Sequence, residues 1–373
     1  MARDANDPTL RQVLFKDVRA RDLPLSVRRD LKDLSRFYLD EERRARLKSV
    51  RGARRALWFI VFLLKSLLAK LTPARRVMFA LSLLMLLISG HFQVGRLDLS
   101  LDLTAEAYWL LLVVLMLELK DKLLARDEIE IARQVQLALL PSRHPRPDGW
   151  SLWNYTRPAN DVGGDLVDYL DLGSGKIGVA LGDVAGKGLG AALLMAKLQA
   201  TLRSLAPECR TLSDLGGRLN AILCRDGLEN RFATLFYLEI SPGSPRMRYL
   251  NAGHNPPFLL RARALETLEP SGRPLGMLPG VTYVEGSLDL EPGDLLVVYS
   301  DGLVEARNAA EEDFGVERLR RLLPELRGLT VEAAGGRLLA EVDRFMGEER
   351  LHDDLSLVTV LGCSPAVPTD SRP

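Results

Sequence analysis

The sequence predicts an α+β protein: antiparallel sheets layered with helices, preceded by a helical hairpin of membrane-spanning length. Three observations carry the prediction. From Trp150 onward the chain reads as short β-prone runs separated by glycine turns. Helices arrive in pairs between groups of strands, so the strand-helix alternation of a parallel sheet is absent. Ahead of that region, three apolar stretches lie between Ala56 and Leu119.

The N-terminal elements come first. Residues 1–55 form a basic segment, expected in the cytoplasm. Met1–Arg76 holds 20 Lys and Arg against 9 Asp and Glu, so the rest of the 373-residue chain is acidic by about 10 charges although the net charge is only +1. Such asymmetry suggests different surroundings for the two parts. The opening "MARDANDPTL" has no apolar run, so no cleaved signal peptide is expected. Cys209, Cys224 and Cys363 are too few and scattered for a disulfide framework or a cysteine metal site, which fits a reducing compartment.

Residues 56–119 read as a membrane region. "ALWFIVFLLKSLLAKL" is interrupted by Lys65 and Lys70, and a span or an in-plane amphipathic helix explains it equally well. Val77–Gly95 lacks any charged residue, and Leu103–Leu119 carries Glu106, Tyr108 and Trp109 near its start. A spanning helix needs ~20 mostly apolar residues, so 77–95 and 103–119 are expected to cross the membrane as a hairpin. Lys and Arg flank the hairpin on both sides, which places both ends, and the C-terminal domain, in the cytoplasm. The expected location is the cytoplasmic (inner) membrane, as a multi-pass protein.

Residues 120–142 belong to a linker helix, read from about Leu117 to Leu140 and stopped by Pro141. Leu117, Leu124, Ile131 and Ala138 repeat every seven residues, but Lys120, Asp127 and Gln134 are polar where a two-stranded coiled coil wants apolar side chains. A homodimer helix and a connecting helix packed on the next domain are equally compatible with that seam. The domain at 148–361 then runs through the strands "WSLWNYTRPA", "GGDLVDYLDL", "KIGVALGDV", "RFATLFYLEI", "RMRYLNAG", "PFLLRARALETLE", "GSLDLEPGDLLVVYS" and "DLSLVTVLG". The helices "LGAALLMAKLQATLRSLA" and "TLSDLGGRLNAILCRDG" interrupt it early, and "GVERLRRLLPEL" and "TVEAAGGRLLAEVDRFM" late. Residues 362–373 read as a disordered tail.

The chemistry lies in the turns. Asp165, Asp183, Asp301 and the Asp353–Asp354 pair each sit at the end of an apolar strand, beside glycine in three of the four places. One Asp-Gly is usually only a turn. Four acid-bearing strand ends that converge would repel unless cations lay among them. Oxygen ligands without a Cys or His cluster select hard ions such as Mg²⁺, Mn²⁺ or Ca²⁺. "GDVAGKG" lacks the spacing of a phosphate loop, and no GxSxG, HExxH or Cys–His signature is present. His254 in "NAGHNPP" reads as a loop-holding residue.

"IARQVQLALLP", "RPANDVGGDLVDYL", "ALGDVAGKGLGAALLMA", "NAGHNPPFLL", "RPLGML", "LEPGDLLVVYSDGLVEARN", "FGVERL" and "DDLSLV" occur in one order. That series resembles the bacterial metal-dependent serine/threonine protein phosphatases of the PPM type, in the branch of stage II sporulation protein E and the stress-response regulator phosphatases. The resemblance covers roughly Ile131 to Leu361. It implies an αββα sandwich, two Mn²⁺ or Mg²⁺ ions, and removal of phosphate from phosphoserine or phosphothreonine, often on an anti-sigma-factor antagonist. It also implies roles: Asp183 bridges the ions with the Val184 carbonyl as a further ligand, Asp165 serves one of them, and Asp301 with Asp353 or Asp354 serves the other, Asp353 being favoured. Asp165 and Asp183 are therefore the expected catalytic acids. Ser300 and Ala185 replace the family's frequent Thr and Ser without removing a ligand. Expected partners are a phosphorylated protein and the membrane, and not nucleic acid. The alternative is a catalytically weak metal-binding pseudo-phosphatase acting as a membrane scaffold.

Overall fold

The computed structural model describes residues 43, 46, 47, 52–94, 97–141, 144–226 and 231–363. Most of the basic segment 1–55, and the expected tail beyond Cys363, lie outside the described residues. The chain divides into two compact units, Met1–Leu123 and Leu124–Pro373.

In the first unit, α1 (Ala53–Lys70) and α2 (Pro73–Ile88) are followed by a hairpin of β1 (Gly90–Val94) and β2 (Leu97–Leu101), with Val94 paired to Leu97. Pro73 opens α2, where its missing N–H costs nothing. Helix α3 (Thr104–Leu139) runs for 36 residues and contributes to both units. The two expected spans are not found: among the described residues no helix is long and apolar enough to cross a membrane. The run 77–95 has no charge, but His91–Val94 is taken into a strand, and the 16 residues of α2 reach only about 24 Å against a hydrocarbon core of ~30 Å. The run 103–119 is apolar only over part of α3, which continues through Glu118, Lys120, Asp121 and Lys122. Arg75 is tied to that charged stretch, donating to Glu118 at 2.7 Å and Asp121 at 2.6 Å. The linker helix is therefore the continuation of the third apolar stretch and not a separate element.

The second unit contains two five-stranded antiparallel sheets. The first has the order β10 (Gly286–Asp289), β7 (Arg246–Ala252), β6 (Ala233–Ile240), β5 (Ile177–Val184), β4 (Leu166–Asp171). The second has β3 (Trp150–Arg157), β12 (Leu355–Gly362), β11 (Leu295–Tyr299), β8 (Phe258–Leu260), β9 (Leu265–Thr267). Two segments read as single strands are each divided. "PFLLRARALETLE" is the β8–β9 hairpin. "GSLDLEPGDLLVVYS" turns at Pro292-Gly293, with Gly293 at φ +93°, and sends β10 and β11 to different sheets.

Alternation along the strands builds three apolar layers, because successive side chains face opposite sides of a sheet. In β6, Phe236, Leu238 and Ile240 face the core between the sheets, while Leu235 and Tyr237 face the helices α4 (Leu189–Leu205) and α5 (Leu212–Asp226). In β11, Leu296 and Val298 join the central core, while Leu295, Val297 and Tyr299 pack against α7 (Val316–Leu322) and α8 (Val331–Met346). Strands buried on both faces read as near-continuous apolar runs, as "DLLVVY" does. Helix α4 buries Ala191, Leu194, Met195, Leu198 and Leu202, a spacing of three and four that makes one helical face. The result is the expected α+β sandwich of four layers, with helices outside two sheets.

Candidate metal-dependent phosphatase site

The strand ends meet at one end of the sandwich. Leu166 pairs with Gly182 in the β4–β5 hairpin, and continuing that register sets Asp165 across from Asp183. Asp301 opens the one-turn helix α6 (Asp301–Val304) directly after β11, and Asp353–Asp354 leads into β12 beside it. A Cβ on Gly302 would stand 2.1 Å from the Asp354 carbonyl oxygen, so only glycine admits this approach. The Ser300 hydroxyl donates to that carbonyl at 3.0 Å and accepts from Ser356 N–H at 2.8 Å, which clips β11 to β12.

The acids are held in unlike ways. Both carboxylate oxygens of Asp165 are buried without a hydrogen-bond partner. Burial, then the Asp183 charge, push its pKa well above the usual carboxylate range; the Ser300 and Ser356 hydroxyls ease this from outside hydrogen-bond geometry. Burial and the charges of Asp301, Asp353 and Asp354 raise Asp183 to about 7. Burial and Asp353 raise Asp301 to about 6, with Lys187 acting the other way. Asp354 is largely engaged by backbone: it accepts from Ala159 N–H at 2.7 Å and from Gly164 N–H at 2.5 Å. A Cβ at Gly163 would meet it at 2.6 Å. Asp353 is the more open of the pair and meets Lys187 Nζ at 2.9 Å. The Val184 carbonyl ends β5 beside Gly164, where a Cβ would stand 3.0 Å from it.

The structure thus brings together Asp165, Asp183, Val184, Asp301, Asp353 and Asp354. Among the described residues no three Asp, Glu, His or Cys side chains are drawn tightly enough to hold a metal ion as they stand. The donor chemistry nonetheless fits one. Mutually repelling buried carboxylates, one of them with two orphaned oxygens, are costly without a counter-cation. His254 takes the structural part: it is buried, its Nδ1 lies 2.8 Å from Thr234 Oγ1, its N–H donates to Asn251 Oδ1 at 2.8 Å, and burial lowers its pKa to about 4.

Two residues near the acids escape sequence reasoning. Gln136 on α3 is buried and grips the Gly163 peptide from both sides, its amide donating to the carbonyl at 2.7 Å and accepting from the N–H at 3.0 Å. A small cleft of about 60 Å³ between this helix and the acids is lined by Arg133, Gln136, Thr156, Pro158, Asp161 and Asp165. The heptad pattern shows only the helix, and nothing local marks Gln136 as the residue that reaches inward. Lys187 is visible in "GDVAGKG", but its pairing with Asp353 depends on the fold.

Comparison with known proteins agrees with this geometry. Residues 173–361 match the family model for stage II sporulation protein E (SpoIIE). Protein IcfG of Synechocystis sp. is 32% identical over 234 residues, covering 55% of this chain and 37% of that protein. Phosphoserine phosphatase RsbU of Bacillus subtilis is 28% identical over 239 residues, covering 63% of this chain and 70% of the relative. The SiaA-PP2C domain of Pseudomonas aeruginosa shares the fold with a TM-score of 0.57 at 18% identity, over 65% of this chain and 99% of that one. The match over residues 173–361 places the chain in the SpoIIE family, and the αββα sandwich shares the fold of solved PP2C phosphatase domains.

Proposed function

We propose that this chain removes phosphate from phosphoserine or phosphothreonine on a small signalling protein, of the anti-sigma-factor-antagonist kind, while attached to a membrane through its first unit. The observation that carries the hydrolytic reading is Asp165, whose two buried oxygens have no hydrogen-bond partner and which the β4–β5 register sets across from Asp183, a pairing that a cation would relieve.

In this reading Asp165, Asp183, the Val184 carbonyl, Asp301 and Asp353 would hold two Mn²⁺ or Mg²⁺ ions, while Asp354 locks the Ala159–Gly164 loop by its hydrogen bonds to that backbone. The bound ions would neutralise the phosphoryl oxygens and activate an attacking water. Asp183, raised to about 7 by burial and the neighbouring acids, would be returned to its charged form by such ions. Lys187 shields Asp353 and so limits repulsion at the rim. Burial of the acids keeps the field of each charge strong. No Ser, Cys or His of the site is arranged as a nucleophile with its base, so direct attack by water needs no covalent intermediate.

Membrane attachment is supported by the first unit, where Leu57, Trp58, Val77, Leu87, Tyr108 and Trp109 expose large apolar side chains and α1 carries Arg54 and Arg55. We further infer that α3 regulates the site, because Gln136 links that helix to the loop of Gly163, Gly164 and Asp165.

The test is hydrolysis of p-nitrophenyl phosphate and of a phosphoserine peptide by the full chain with Mn²⁺, together with sedimentation on vesicles containing anionic lipid. Hydrolysis that EDTA abolishes and Mn²⁺ restores is expected, with the protein pelleting with the vesicles. Mn²⁺ binding without turnover would favour the scaffold reading, and protein left in the supernatant would refute attachment.

A further inference from the structure

Among the described residues Arg231 has no counter-charge. Its Nη1 is buried with no hydrogen-bond partner, and among the described residues no carboxylate pairs with its guanidinium. A guanidinium nitrogen withdrawn from water and left unpaired is costly, although Arg231 as a whole is only half-buried. Yet the fold makes room for it. A Cβ on Gly186 would stand 2.6 Å from Nη1, and one on Gly190 would stand 3.0 Å from Nη2. Gly190 lies in the first turn of α4, where free peptide N–H groups already carry partial positive charge. Two positive features side by side call for an anion that the described residues do not supply.

Position says which anion. Val184 pairs with Ala233, and the Ala185 N–H donates to the Phe232 carbonyl at 2.9 Å. Continuing that register places Arg231 opposite Gly186, three residues beyond Asp183. β5 ends at Val184 and the chain bends at Gly186, φ +113°, so three residues span at most about 10 Å. A phosphoserine held at the acids would therefore have a residue within about three positions of it, in extended chain, level with Arg231.

The surroundings are apolar and open. Leu189 and Leu193, one helical turn apart on either side of Gly190, are 44% and 62% exposed. On the other flank Ala233 bridges Leu275, and the same register sets Met277 opposite Arg231; Met277 and Leu278 are 40% and 45% exposed. One unpaired cation ringed by exposed apolar side chains matches the buried-anchor pattern of protein interfaces, in which arginine is enriched.

We propose that Arg231, with Leu189, Leu193, Met277 and Leu278, receives the protein substrate, taking a segment that presents an acidic side chain beside an apolar one about three residues from the phosphorylated position. This rests on the phosphatase reading above and adds a sequence preference to it. Charge complementarity selects this occupant: a wholly apolar peptide would leave Nη1 of Arg231 buried and unpaired.

The experiment uses the full chain with Mn²⁺ and three probes: p-nitrophenyl phosphate, a phosphoserine peptide with Glu and Leu three and four positions from the phosphate, and the same peptide with Lys in place of Glu. The wild type is expected to favour the Glu peptide in kcat/KM by about tenfold, as one charge-assisted contact supports. Arg231→Glu should invert that preference, and Arg231→Lys should keep its direction. Leu193→Asp, at an exposed position, should lower kcat/KM for the Glu peptide about tenfold relative to p-nitrophenyl phosphate, through KM. A preference unchanged by Arg231→Glu overturns the proposal. So does an equal fall on all three probes, which would assign Arg231 to the reacting phosphate or to the fold. Hydrolysis of none of them by the wild type would refute the phosphatase reading itself.

Discussion

Neutralising Asp183 should stabilise the metal-free protein while abolishing its activity. The side chain is largely buried among acids, and its pKa is raised from the usual 3.8 to about 7. For an acid whose folded-state pKa is raised, the unfavourable contribution is absent below the unfolded pKa. It grows between the two values and is complete above the folded one. At pH 8 this corresponds to roughly 4 kcal/mol, and at pH 5 to roughly 1–2 kcal/mol. Relief shared with Asp165 and Asp301 lowers what one substitution recovers to about 2–4 kcal/mol. For a domain of this size that is a rise in Tm of about 5–15 °C. The assay is thermal unfolding of wild type and Asp183→Asn in EDTA at pH 8 and pH 5, repeated with millimolar Mn²⁺. In EDTA the variant should melt higher, by a margin that shrinks at pH 5. With Mn²⁺ the wild type should gain stability by mass action and the variant far less, narrowing or inverting the gap. The variant should not hydrolyse p-nitrophenyl phosphate. A variant that melts below wild type in EDTA, or by the same margin at both pH values, would refute the electrostatic argument, and wild-type turnover would remove Asp183 from the metal site.

Three other substitutions test the supports of the site. Gln136→Leu leaves the Gly163 N–H and carbonyl unpaired and should cost about 2–4 kcal/mol in urea unfolding and raise the Mn²⁺ needed for half-maximal rate; an unchanged Mn²⁺ requirement would make the contact purely structural. Gly302→Ala drives a methyl group into the Asp354 backbone and should destabilise by about 3 kcal/mol or more, read as a lowered denaturant midpoint. Arg203→Leu strips Asp168, which is fully buried, of its two charge-assisted bonds of 2.7 and 2.8 Å; because the arginine is 47% exposed, the loss should be about 2–3 kcal/mol, below that of a fully buried pair.

The acids are legible in the sequence because each follows or precedes an apolar strand and most adjoin glycine, a local signal that needs no knowledge of the partner strand. The layer order is legible for the same reason: strands buried on both faces, such as β6 and β11, leave long apolar runs. What stays hidden depends on distant registers. Nothing within "GSLDLEPGDLLVVYS" says that its halves join different sheets. Gln136 looks like any polar helix residue until the Gly163 peptide, 27 positions on, comes into its reach. The expected spans fail for another reason: counting charges over Val77–Gly95 ignores the β-prone His91–Val94, which ends α2 early.

The pairing of β12 with β3 joins segments 200 residues apart, as in the contact of Thr156 with Ser356. During synthesis β3 emerges long before its partner, while the first sheet, from β4 to β10, is complete soon after Asp289 has been made. The acids Asp165 and Asp183 can therefore assemble early, but Asp353 and the strand that seats Asp354 arrive last, close to the end of the described chain. A ribosome that stalls or a protease that cuts before Leu355 leaves a folded half-sandwich with an exposed apolar face and an incomplete acid cluster. Such fragments should lack a complete acid cluster and be prone to aggregate, so the site is complete only once β12 has been made.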